Sequence, residues 1–224
     1  MLIVAIVVAS QISNGSKKSN SSTIATDSIA EMLSGIPQKG IALGNSNAKL
    51  TLVEFADPQC PGCGDFAKTV LPTLVQTYVR TGQLRIEYRG LHFIDSFVKN
   101  GPKDSERLLR LAEAAGFQNR LWDIVELEYE NQGTENTGWA TDALLKGLAQ
   151  TVKGLNVSKV LASANTNAVV PNMEAAQTLA DQSFKPLSTP SFLLGPTGAK
   201  PTGKFTGQTA VSSLLNALSS QLKK

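Results

Sequence analysis

Leu50-Thr51-Leu52-Val53-Glu54-Phe55-Ala56-Asp57-Pro58-Gln59-Cys60-Pro61-Gly62-Cys63 runs from a candidate strand into a candidate helix and carries the only two cysteines of a 224-residue chain. Leu50 to Phe55 places apolar side chains on both faces, as a central strand covered on both sides requires. A helix is expected from Phe66 onward, which puts Cys60 at or just before its first turn. Unpaired backbone N–H groups and the positive end of the helix dipole at that place stabilise a thiolate. Pro61 suits an early helical position because its missing N–H would have no partner there, and Gly62 puts little bulk over the sulfur. A C-x-x-C at such a turn reads as a reactive dithiol. Glu54 is the one charged residue of the strand, so its carboxyl is expected to be desolvated and its pKa raised.

Two other readings of the cysteine pair stay open at this level, half of a zinc site and a structural disulfide. A zinc site normally needs four ligands, and beyond the pair the chain has no cysteine and one histidine, His92. A structural clasp between Cys60 and Cys63 would close only a tiny loop and remove little chain entropy. The formal net charge of +3 is mild and no basic stripe concentrates it, so no nucleic-acid surface is expected. His92 follows a candidate strand and reads as a loop residue.

Met1 to Ala9 is almost uninterrupted apolar sequence, followed by a Ser/Asn/Lys-rich stretch to Ser28. The pair is similar to the hydrophobic part of an export signal or the end of a membrane anchor, with a flexible linker behind it. The apolar run is too short to span a bilayer and no basic region precedes it, so a start further upstream is expected. A frayed end of a cytosolic protein is the alternative.

Residues 29–97 read as the first part of a sheet domain. A short helix over Asp27–Ser34 and an extended piece at Gly40–Leu43 precede the central strand. The helix after the cysteines repeats Phe66, Val70, Leu74 and Tyr78 on one face, with a kink expected at Pro72 and a stop at Gly82. Leu84 to Arg89 alternates with period two, as a strand does. Residues 98–185 show helical patterns only and read as an inserted helical subdomain, with Phe117, Trp122 and Trp139 expected in its core. Residues 186–224 return to the sheet through Ser191–Leu194 and Gly203–Thr206 as a hairpin, closed by an amphipathic helix over Thr209–Leu222.

With Glu54, Cys60-Pro61-Gly62-Cys63, a helical insertion and Thr189-Pro190 before the hairpin, the sequence resembles the DsbA-like branch of the thioredoxin superfamily. The likeness runs from about Gly35 to the C-terminus. It implies an α/β thioredoxin fold, a central mixed sheet flanked by helices, with an inserted all-helical subdomain. It also implies roles: Cys60 as the more exposed, reacting sulfur, Cys63 as its buried partner, and Glu54 as the acid that modulates the pair. Pro190 would be a cis-proline facing the sulfurs, and Thr189 would pair its backbone with a bound peptide. DsbA has a histidine between its cysteines where this chain has Gly62, which implies a milder oxidant.

The activity implied is that of a protein thiol:disulfide oxidoreductase with no cofactor beyond the Cys60–Cys63 disulfide. As an oxidase it would act on reduced or misoxidised exported proteins outside the cytoplasm, as a monomer, and be reoxidised by a membrane partner of the DsbB or VKOR kind. A reductase of the same fold, or a non-catalytic module that uses the groove to bind a partner protein or a metal such as copper, are the alternatives.

Overall fold

The computed structural model describes residues 27–223. Residues 1–26, where a leader and most of a linker are expected, lie outside the described part. Helix α1 (Asp27–Leu33) leads into a two-strand ribbon, β1 (Gln38–Lys39) and β2 (Ala42–Leu43), which turns at Gly40 with φ of 56°. Then follow β3 (Leu50–Ala56), α2 (Pro61–Thr69), α3 (Leu71–Leu74), a π turn over Val75–Val79, and β4 (Leu84–Gly90). Five helices come next: α4 (Asp104–Gly116), α5 (Leu121–Glu130), α6 (Asp142–Thr151), α7 (Val157–Ala164) and α8 (Val170–Ser183). Strands β5 (Ser191–Pro196) and β6 (Gly203–Thr206) and helix α9 (Val211–Leu222) complete the described chain.

The sheet runs in the order β1-β2-β4-β3-β5-β6. β3 lies parallel to β4 and antiparallel to β5, so Glu54 sits opposite Tyr88 on one side and Phe192 on the other. Parallel neighbours need a crossover, and the cysteine-bearing helix supplies it. That connection sets Cys60 just beyond the C-terminal end of the central strand.

The side chains of β3 divide by parity. Leu50, Leu52 and Ala56 join a large core with Phe66, Ile86 and Phe192, whereas Phe55 joins a smaller one with Leu91, Ala180, Phe184 and Leu193. Both faces are therefore covered, which accounts for the apolar residues at odd and even positions alike. The large core continues without a break into Leu108, Leu111, Trp122, Leu148 and Val160 of the helical segment.

Pro72 interrupts its helix as the sequence implies, and the repair extends beyond it. Pro72 offers no N–H to the Lys68 carbonyl, so α2 ends at Thr69, and the Leu74 N–H resumes pairing on Val70 O at 3.2 Å. The last turn then widens, with the Arg80 N–H reaching Val75 O five residues back at 2.9 Å, before Gly82 stops it at φ of 74°. In the helical segment Trp122 is fully buried and its Nε1 donates to Ile41 O at 3.1 Å. Phe117 corrects the expectation of a core residue: it caps the C-terminus of α4, points outward and is 49% exposed. No helix among the described residues is long and apolar enough to cross a membrane.

Candidate active site

Cys60 is the N-cap of α2, with φ −70° and ψ 118°, and Pro61 opens the helix. The Cys60 carbonyl accepts the N–H of Cys63 and of Gly64, each at 3.1 Å, closing the first turn. Neither sulfur is bonded to the other, so the pair is a dithiol. Cys60 keeps 8% of its surface and Cys63 none. The Thr189–Pro190 peptide is cis, as is Lys185–Pro186, which the sequence reading did not single out. Thr189 O stands 3.5 Å from Cys60 Sγ. A Cβ added to Gly62 would lie 3.3 Å from Gln208 Oε1 and 3.4 Å from Pro190 Cδ, so a bulkier residue there would press on both. Cys60, Cys63, Gly62, Thr189 and Pro190 thus meet in one place.

The two thiols are driven in opposite directions. Cys60 is lowered from an ordinary 9.0 to about 6, chiefly by the hydrogen bond from the Cys63 thiol, with the Thr189 side chain and the N–H groups of Cys63 and Gly62 adding to it against the cost of burial. Cys63 is pushed well above its ordinary value, first by burial and then because its proton is engaged by Cys60. Glu54, on the same face of β3 and close enough to disfavour charge on Cys63, is raised to about 8 by burial alone. At neutral pH the site therefore holds one ionised sulfur, one protonated sulfur and one protonated carboxyl. His92 caps a short 3-10 helix over Phe93–Phe97. Among the described residues no group of three or more His, Cys, Asp or Glu is placed to hold a metal.

Beneath the cysteine loop lies a hydrogen-bonded hub that sequence reasoning missed. Asp57 Oδ1 accepts from the Gln59 N–H at 3.0 Å and from Ser105 Oγ at 2.5 Å, and its Oδ2 accepts from the Ile94 N–H at 3.1 Å. Asp95 accepts from Gln59 Nε2 at 2.8 Å and from the N–H groups of Ser105 and Glu106 at 3.0 and 2.9 Å. Burial raises Asp57 to about 7 against these donors, with the Asp95 charge adding to the rise. Behind Cys63, the fully buried Tyr88 and Tyr129 hydroxyls lie 3.2 Å apart, and Tyr129 Oη reaches Asp57 O at 3.5 Å. A carboxyl three positions before Cys60 was the available signal; apart from the neighbouring Gln59 N–H, its partners Ile94 and Ser105 are 37 and 48 residues away and left no local pattern.

Residues 37–202 match the model of the family described as Thioredoxin. Among curated proteins the chain is similar to the probable disulfide bond formation protein D of Bacillus cereus, 30% identical over 111 residues, or 49% of this chain and 48% of that protein. Disulfide bond formation protein D of Bacillus subtilis is 27% identical over 111 residues, 48% of this chain and 46% of the relative. The chain thus spans about half the length of the curated relatives it matches. Among solved structures, oxidised BdbD from Bacillus subtilis superposes with a TM-score of 0.67 at 19% identity, over 84% of this chain and 98% of that one. The alpha-DsbA1 of Wolbachia pipientis gives 0.65 at 16%, over 82% and 90%. Those structures share the fold of a sheet flanked by helices, and with the family model covering most of its length the chain belongs to the Thioredoxin family.

Proposed function

We propose that the protein is a thiol:disulfide oxidase that passes the Cys60–Cys63 disulfide to other proteins. The observation that carries this reading is the split between the sulfurs: a depressed Cys60 at a helix N-terminus and a buried, proton-retaining Cys63 beside the neutral Glu54. In the oxidised protein a substrate thiolate attacks Cys60 Sγ, the Cys60–Cys63 bond breaks, and Cys63 leaves as a thiolate that takes a proton from Glu54. A second substrate thiolate then attacks the substrate sulfur of the mixed disulfide and expels Cys60. Two substrate thiols have become a disulfide, and the protein has taken up both electrons as a dithiol. The stability of the expelled Cys60 thiolate draws the exchange toward oxidised substrate.

Thr189 and Pro190 fit a place for an extended substrate segment across the face of Cys60, since the Thr189 carbonyl lies beside the sulfur. Residues 29–97 and 186–224 carry the chemistry in this reading, and residues 98–185 are the insertion. The names of the curated relatives support disulfide formation. With that activity we propose exported proteins as substrates, an extracytoplasmic place of action and a membrane reoxidant.

The test is a Cys60→Ser variant mixed with a short dithiol peptide. The oxidised wild type should convert the peptide to its disulfide, and the variant should not while keeping the same circular dichroism. Peptide oxidation by the variant at the wild-type rate would remove Cys60 from the reaction.

A further inference from the structure

The turn that follows α5 reaches back to the cysteine loop and grips it from outside the motif. Gln132 Nε2 donates to Pro58 O at 2.7 Å and to Cys60 O at 3.0 Å, so one side-chain amide holds peptide groups on both sides of Gln59. The space it occupies exists because residue 64 is glycine: a Cβ there would fall 2.6 Å from Gln132 Oε1 and 3.3 Å from its Cδ. A second grip lies four residues on, where the Asn136 N–H donates to Gln59 Oε1 at 2.6 Å and Asn136 Nδ2 to Ile94 O at 3.1 Å. The turn is itself braced, with Asn136 at φ of 56° and Gly133 pressed under Trp139, whose ring a Cβ would meet at 2.4 Å.

We propose that Gln132 is a positioning residue for the dithiol: seated in the gap left by Gly64, its amide fixes the Cys60 peptide so that the sulfur faces the N–H groups of the first helical turn and Thr189. Fixed donors stabilise a charge only when they are already aimed at it. A loop held at Pro58 O and Cys60 O keeps that aim, and a loosened one spends part of its time with the sulfur turned away. The inference rests on Cys60 being the reactive sulfur.

The test is the pH profile of Cys60 alkylation by iodoacetamide in the reduced full chain, with thermal melting followed alongside. Gln132→Met keeps the volume and removes the donors; Gly64→Ala keeps the donors and crowds the amide out. Each should move the inflection to higher pH and slow alkylation near pH 6 by roughly 3–10-fold, the change expected from losing one ordinary hydrogen bond. The double variant should be no slower than the slower single one, because both act on one contact. Additive slowing would overturn the proposal. A lower melting temperature with an unmoved profile in Gln132→Met would leave Gln132 a structural role only and would also overturn it. A wild-type inflection near 9 would instead sink the reading of Cys60 itself.

Discussion

Cys63→Ala removes the donor that does most to keep Cys60 ionised, and the size of the consequence follows from the site. The Cys63 thiol hydrogen bond is the largest contribution lowering Cys60 from 9.0 to about 6. A hydrogen bond to a charged group contributes about 1.5–3 kcal/mol. At about 1.4 kcal/mol per pKa unit, its loss should raise the Cys60 titration by about 1–2 units. The thiolate share at pH 7 then falls from roughly nine-tenths to between about one-tenth and one-half. The assay is the ultraviolet absorbance of the thiolate against pH, and the variant has one thiol left, so the thiolate signal has one source. A midpoint still at or below about 6 would refute the reasoning, because the helix terminus and Thr189 would then suffice unaided.

Glu54 gives a pH dependence of stability with a definite sign. Its folded pKa of about 8 lies above the ordinary 4.5, so its contribution is intact below pH 4.5 and is lost as pH rises through 8. Glu54→Gln should therefore unfold at higher denaturant than the wild type at pH 7, by on the order of 3 kcal/mol at most, with the gap closing toward pH 4; a gap constant with pH would contradict this. Trp122→Ala should cost about 3–5 kcal/mol in urea unfolding, since it empties a fully buried site and removes one of the two donors to Ile41 O, leaving only the Tyr88 N–H. Phe117→Ala, at an exposed helix end, should change stability by less than about 0.5 kcal/mol, and equal costs at the two positions would contradict the placement of both rings.

What could be read from the sequence was whatever a short window encodes. The period-two strand at β4, the apolar run at β3 and the proline and glycine around α2 each act within a few residues, and the elements formed where those signals place them. The cysteine pair and Glu54 were legible because strand geometry and a helix start fix their relative place. Phe117 was misjudged because it lies one residue beyond Gly116, where the helical period that would have aimed it inward has ended. Gln132, Asn136, Ser105 and Asp95 were silent because each acts on the cysteine loop across 36 to 77 residues, and their types are equally at home on a solvated turn. The π turn after Pro72 was likewise hidden: a kink is written in one residue, but its repair depends on how the chain is packed on both sides.

The direction of electron flow is tested most directly by the reduction potential of the Cys60–Cys63 pair, measured by equilibration in glutathione buffers. An ionised, stabilised Cys60 favours the dithiol and raises the potential, while Gly62 leaves the site without the extra stabilisation of an intervening histidine. The potential should therefore lie between about −270 mV, the thioredoxin value, and about −120 mV, the DsbA value. A value at or below about −270 mV would contradict the oxidase and make the protein a reductase.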